Sequence, residues 1–148
     1  MPIARRTLAL PDAARTDALG RRLAARLRAG DSVLLSGDLG AGKSHLARAV
    51  IRALCGEGIE VPSPTYTMVQ VYDGPFGPIW HADLYRLGDS SELDELGLPE
   101  ALGRDLCLIE WPDRLPGPPP GAIRIDLRPD GAGRLAEIAG PAERLEGL

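Results

Sequence analysis

The chain has 148 residues, with 17 Lys+Arg against 21 Asp+Glu for a net charge of −4, and 44% of its residues are hydrophobic. That length predicts one domain with a real core, spanning 1–148. The acidic balance argues against a protein that holds nucleic acid by itself through phosphate neutralisation. No apolar run is long enough to span a bilayer and no signal-peptide pattern opens the chain, so a cytoplasmic protein is expected.

Residues 1–10 read as an edge strand leading into Pro11-Asp12. A helix follows, with Thr16 as the expected cap and Leu19, Leu23 and Leu27 at helical spacing. Arg21, Arg22, Arg26 and Arg28 fall largely off that stripe and read as a solvated face. Gly30 stops the helix, and Ser32-Val33-Leu34-Leu35-Ser36 is a short apolar strand.

Gly37-Asp38-Leu39-Gly40-Ala41-Gly42-Lys43-Ser44 then fits the phosphate-loop pattern G-x-x-x-x-G-K-[ST] at every fixed position. The residues from Ser44 to Leu54 read as the helix that such a loop opens. Glycines let the backbone curl with its N–H groups inward, making an anion nest at a helix N-terminus. Asp38, Leu39, Gly40, Ala41, Gly42, Lys43, Ser44 and His45 are therefore the expected nucleotide-binding set, with Ser44 also a Mg2+ ligand. Lys43 is the only lysine in the chain. A planar guanidinium is a poor substitute for an ammonium that must fit inside such a loop, so the exception falls where the chemistry requires it.

Beyond the Gly56-Glu57-Gly58 break, Val61-Pro62-Ser63-Pro64-Thr65-Tyr66-Thr67 is a stiff extended loop, because both prolines disfavour helix. It presents hydroxyls in the manner of a switch segment, in which a threonine senses the γ-phosphate. Residues 68–72 and 79–82 alternate as two strands of a hairpin, ending in Asp83-Leu84-Tyr85-Arg86. Asp83 reads equally as an acid that orients water or supports Mg2+, and as a cap or partner of Arg86. Asp89-Ser90-Ser91-Glu92 signals a helix start.

Leu106-Cys107-Leu108-Ile109-Glu110-Trp111 is an apolar run ending in a carboxylate. Downstream of a phosphate loop, that is the layout of the strand that meets Mg2+, so Glu110 is the expected metal-side acid. Trp111 beside it reads as core or as a shield for the γ-phosphate. A stiff Pro-rich connection over 115–121 leads to a terminal β-hairpin formed by 123–127 and 135–138. Cys55 and Cys107 have no ligand spacing and read as small buried hydrophobes.

Four blocks together, Gly37 to Ser44, Ser63-Pro64-Thr65-Tyr66, His81-Ala82-Asp83-Leu84-Tyr85-Arg86 and Ile109-Glu110-Trp111-Pro112, resemble the TsaE (YjeE) family in order and spacing. The resemblance covers nearly the whole chain and is loosest after Pro112. It implies a single-domain α/β P-loop NTPase fold, with a mainly parallel central sheet flanked by helices and a C-terminal β-hairpin. It further implies Mg·ATP binding and slow intrinsic hydrolysis in the service of the threonylcarbamoyladenosine modification of tRNA. The implied partners are the threonylcarbamoyltransferase subunit and its inactive paralogue, with tRNA met only through that complex. Carried over by position, Lys43 and Ser44 are phosphate and Mg2+ ligands, Glu110 the Mg2+-side acid, Thr65 the catalytic switch, Asp83 the strand-end acid and Trp111 the neighbouring aromatic. Thr65, Asp83 and Glu110 are thus the expected catalytic residues. Two positions depart from the family pattern: Ala82 stands where an aromatic is common, and His45 where a small hydroxyl residue is common. Neither removes a reacting group.

ATP is the expected nucleotide. The chain contains no asparagine, which excludes the Asn-Lys-x-Asp guanine signature, and Pro11 is the expected contact to the base. A P-loop small-molecule kinase and a nucleotide-gated binding module without turnover are the competing readings.

Overall fold

The computed structural model describes residues 2–148. The expected edge strand is β1 (Ile3–Leu10); its predicted first residue, Met1, lies outside the described residues. Helix α1 (Ala13–Arg26) follows, then β2 (Ser32–Ser36) and α2 (Lys43–Cys55). The hairpin β3 (Val69–Gly74) and β4 (Gly77–Asp83) leads to the short helices α3 (Glu92–Leu96) and α4 (Leu98–Ala101). Strand β5 (Leu106–Glu110) and one 3-10 turn (Pro112–Arg114) precede the hairpin β6 (Ile123–Asp130) and β7 (Gly133–Pro141), and α5 (Ala142–Leu145) comes last.

All seven strands form one sheet in the order β1-β7-β6-β2-β5-β4-β3. The central strands β6, β2, β5 and β4 are mutually parallel. Strand β7 runs against β6 and β1, and β3 runs against β4, so only β7 and β3 oppose the common direction. The expected mainly parallel α/β sheet is therefore present, and the terminal hairpin joins its centre to β1. The composition of the central strands explains their position. β2 and β5 are apolar almost throughout and buried on both faces, as parallel core strands must be.

Two layers cover the sheet. On one face Leu19, Leu23 and Leu27 of α1 and Leu46, Val50 and Ile51 of α2 pack on Val33, Leu35, Leu108, Ile125 and Ile138. On the other, Leu93, Leu98 and Ala101 cover Leu34, Cys107 and Ile109. Helices α1 and α2 approach so closely that a Cβ on Gly20 would lie 2.4 Å from the Cβ of Ala49. Cys107 is buried as expected, whereas Cys55 is only half-buried; both are free thiols.

The start of α1 differs from the sequence reading. Asp12 caps it, with extended backbone (φ −151°, ψ 174°) and a side chain that accepts from the Arg15 N–H at 2.9 Å. Thr16 sits one turn inside the helix, buried, with no partner for its hydroxyl among the described residues. The cap falls where Pro11-Asp12 supplies the non-helical backbone that capping requires. At α3, the Asp89 N–H donates to Glu92 and Asp89 accepts from the Ser91 N–H, but the residue that precedes the helix is Ser91, whose side chain makes no capping bond among the described residues. No helix among the described residues is long and apolar enough to cross a membrane.

Candidate functional site

The glycine-rich loop links the carboxyl end of β2 to the first turn of α2. Gly37, Gly40 and Gly42 have φ of 144°, 80° and 101°, the left-handed region that glycine enters without penalty. The N-cap of α2 is Gly42, and no side chain among the described residues caps that end. Its first N–H groups therefore have no side-chain acceptor among the described residues.

Lys43 is buried at the base of this loop, 4% exposed. Its ammonium donates to the carbonyls of Gly37 and of Asp38, the latter at 3.0 Å, and lies 4.1 Å from the ring centre of Trp111. Burial lowers its pKa from the ordinary lysine value, while Glu110, Asp83 and Asp38 act in the opposite sense. Ser44 follows, and its hydroxyl stands 2.9 and 3.0 Å from the two carboxylate oxygens of Glu110.

Glu110 is the last residue of β5 and 3% exposed. The parallel register sets it opposite Leu35 of β2 and Asp83 of β4, which brings the two acids to the same carboxyl-terminal edge as the loop. Asp83 accepts from the Tyr85 N–H at 3.1 Å, and its other oxygen meets the Thr65 hydroxyl at 3.5 Å. Arg86 stacks on the ring of Tyr66, 4.6 Å from its centre, so it does not serve as the partner of Asp83. Desolvation, with Glu110 as the adjoining negative charge, raises the Asp83 carboxyl above its ordinary pKa.

Residues 61–67 form no helix or strand beyond a turn at Thr65-Tyr66-Thr67. The Ser63 and Thr65 hydroxyls are 2.8 Å apart, and Ser63 is 3.5 Å from Ser44. Trp111 adopts φ 58° and ψ 54° just after β5, a left-handed turn that carries its ring over Lys43 and against Tyr85.

A cleft of about 290 Å3 is lined by Leu39 through His45, Ser63, Thr65, Asp83, Glu110 and Trp111. It brings together most of the residues singled out in the sequence. Asp38 contributes its carbonyl to Lys43 from beneath. His45, at the end of that lining, meets Asp17 of α1 with its Nε2 at 2.8 Å. Pro11 lines a second hollow of about 250 Å3 next door, shared with Gly40, Ala41 and the β7 backbone at Gly133.

Arg134, absent from the sequence reading, lines both hollows. It reaches from the start of β7 over the loop, with its guanidinium 3.4 Å from the Gly40 carbonyl and packed over Gly42. Only the pairing of β7 with β6 and β1 delivers it there, and no local motif marks it. His81 is the second omission. Its Nε2 lies 2.7 Å from Glu110 Oε2. Its i, i+2 spacing from Asp83 was the available signal.

The donor set suits a hard cation with a polyanion. A hydroxyl and a carboxylate converge, with uncapped backbone N–H groups, a lysine and an arginine beside them. Among the described residues no group of three or more His, Cys, Asp or Glu stands ready to hold a metal alone. Mg2+ keeps water and phosphate oxygens in its shell and takes one or two protein ligands, a demand that the Ser44 hydroxyl and the Glu110 carboxylate meet.

The chain is similar to proteins of one family. The model for TsaE, the threonylcarbamoyl adenosine biosynthesis protein, matches residues 10–135. The chain is 46% identical over 96 residues to the tRNA threonylcarbamoyladenosine biosynthesis protein TsaE of Rickettsia bellii, covering 65% of this chain and 67% of that one. It is 44% identical over 113 residues to the protein of that name from Synechocystis, covering 72% and 70%. Against the Rickettsia conorii protein the match spans 55% of the relative's length. The crystal structure of Bacillus subtilus YdiB superposes with a TM-score of 0.71 at 27% identity, over 99% of this chain and 92% of that one.

Proposed function

The chain belongs to the TsaE family, and from that premise we propose that it binds and hydrolyses Mg·ATP in the biosynthesis of threonylcarbamoyladenosine in tRNA. The observation that carries this reading is the convergence of Lys43, Ser44 and Glu110 at one end of the sheet, with the Ser44 hydroxyl within 3.0 Å of the carboxylate. Ser44 and Glu110 are the residues that would hold Mg2+, and the loop N–H groups with Lys43 those that would hold the phosphates. Bound there, Mg2+ supplies neutralisation of charge on the transferring phosphoryl group.

The two acids divide the remaining work. Glu110 is committed to Ser44 and His81. Asp83 keeps one oxygen whose only hydrogen-bond partner among the described residues is the Thr65 hydroxyl at 3.5 Å, and desolvation raises its carboxyl above the ordinary pKa. Asp83, with Thr65, is therefore the acid that orients the attacking water, and Trp111 shields Lys43 from solvent. Pro11 and Arg134 border the hollow that fits the nucleoside end of ATP.

Turnover is slow in the isolated chain and stimulated by the threonylcarbamoyltransferase subunit and its inactive paralogue. What supports a partner at this edge is exposed apolar surface. Leu39 and Tyr66 are 68% and 82% exposed beside the cleft, and Tyr85, packed at a tilt against Trp111, is 39% exposed.

Phosphate release by the purified chain, alone and with both partners, tests the reading. Turnover that appears in the mixture and vanishes with Lys43→Ala or Glu110→Ala is the expected result. Wild-type rates in either variant refute the site, and nucleotide binding without turnover in any mixture favours a nucleotide-gated binding module.

A further inference from the structure

His81 does not itself line the cleft, yet the fold fixes it against Glu110, the acid on which the site depends. In β4 it stands two residues before Asp83, so strand alternation turns both side chains to one face. The parallel pairing sets it opposite Leu108 while Asp83 stands opposite Glu110. The ring is 1% exposed, and Nε2 lies 2.7 Å from Glu110 Oε2. Nδ1 is buried with no partner among the described residues.

That asymmetry assigns the proton. A hydrogen on Nδ1 would be stranded without an acceptor, whereas one on Nε2 points at a carboxylate. The imidazole therefore donates from Nε2 to Glu110. Glu110 has two donors, this ring and the Ser44 hydroxyl. They differ in permanence. The hydroxyl rotates freely and is the group that turns to a cation, while the ring is held by packing on every side.

We infer that His81 is a positioning residue for the cation site, its Nε2–H holding the Glu110 carboxylate in place when the Ser44 hydroxyl is released to a divalent metal. The inference rests on the assignment of Ser44 and Glu110 as the metal-side pair. Electrostatics gives the anchor its purpose. Asp83 and Glu110 are 5% and 3% exposed and sit in register on adjacent strands, so an untethered Glu110 would swing away from its neighbour. A buried donor that fixes one carboxylate orientation removes that freedom before the metal arrives.

A core-filling histidine would affect stability alone; a positioning histidine affects metal affinity according to the reach of its donor. Glutamine carries its amide nitrogen near the place of the imidazole Nε2, and asparagine stops short of it. The experiment titrates Mn2+, read by electron paramagnetic resonance, into the full chain with one equivalent of ATP, against the same titration of ATP alone, for wild type, His81→Gln, His81→Asn and His81→Leu. Thermal unfolding of each variant is recorded alongside. Mn2+ binding is expected to weaken about 10–100-fold in His81→Asn and His81→Leu and to return within about 3-fold of wild type in His81→Gln. Wild-type affinity in His81→Asn, or equal weakness in His81→Gln and His81→Asn, overturns the inference. The glutamine–asparagine pair keeps the test decisive if the leucine variant fails to fold. Wild-type chain that takes up no Mn2+ with ATP defeats the metal-site reading itself, whereas normal wild-type uptake with an unaffected His81→Asn defeats only the role of His81.

Discussion

Gly37→Ala places a methyl group where the fold has no room for one. A Cβ there would lie 2.4 Å from the Leu127 carbonyl oxygen and 3.0 Å from the Ala41 Cβ. The Leu127 oxygen belongs to β6, which is paired with β2 on one side and β7 on the other, so it cannot step aside. Gly40 is the matched control. It too has positive φ, yet nothing lies within 4 Å of a Cβ built on it. Both substitutions carry the conformational cost of a left-handed residue, about 1–2 kcal/mol. Gly37→Ala alone adds overpacking against rigid backbone, about 1–3 kcal/mol. The expected losses are thus about 2–5 kcal/mol for Gly37→Ala and about 1–2 kcal/mol for Gly40→Ala, on a total of roughly 5–15 kcal/mol. Urea unfolding followed by circular dichroism measures both. Relief of the clash also draws the Gly37 carbonyl away from Lys43, so binding of a fluorescent ATP analogue should fall in Gly37→Ala. Losses of stability equal within about 0.5 kcal/mol would refute the claim that β6 anchors the loop.

Lys43→Arg keeps the charge but puts a planar fork where a compact ammonium sits between two loop carbonyls; partner-stimulated phosphate release should fall about 100-fold or more. Arg134→Ala should weaken binding of a fluorescent ATP analogue about tenfold, the size of one charge-assisted hydrogen bond, with the melting temperature unchanged. Asp105→Ala tests the fold away from the site. Its carboxylate accepts from the Trp80 indole N–H at 3.0 Å, and the loss should be about 1 kcal/mol by urea unfolding at neutral pH. The Arg104 guanidinium, with that indole N–H, holds the Asp105 carboxyl below its ordinary value of 3.8. A depressed acid stabilises the fold above its unfolded pKa and ceases to as the pH falls through the folded one. The gap between wild type and Asp105→Ala should therefore be constant at neutral pH and close in strong acid; a gap that widens in acid contradicts the pairing.

What could be read from the sequence was what short-range physics decides. The apolar run 32–36, the loop behind it and the run 106–110 ending in Glu110 each carry their own signal, and the sheet places them as that signal implies. The β3–β4 hairpin was equally local. Thr16 misled because a cap depends on backbone conformation, which Pro11-Asp12 supplies a turn earlier. Arg134 and His81 stayed hidden for a different reason. Each owes its place to a pairing between distant strands, β7 with β6 and β1 for the arginine, β4 with β5 for the histidine. Register is settled by the whole sheet, so residue type alone did not mark them.

The pairing of β1 with β7 has a consequence for how the chain is made. β1 is an edge strand whose one neighbour is β7, which begins about 120 residues later. At about 5–20 residues per second, synthesis leaves β1 without its partner for on the order of 6–25 s. The glycine-rich loop and α2 emerge early in that interval, and Arg134 arrives with β7 at its end. A nascent chain therefore displays the phosphate-binding sequence long before it has the arginine that closes over it. The sheet's edge and the nucleotide hollow are completed by the same stretch of newly made polypeptide.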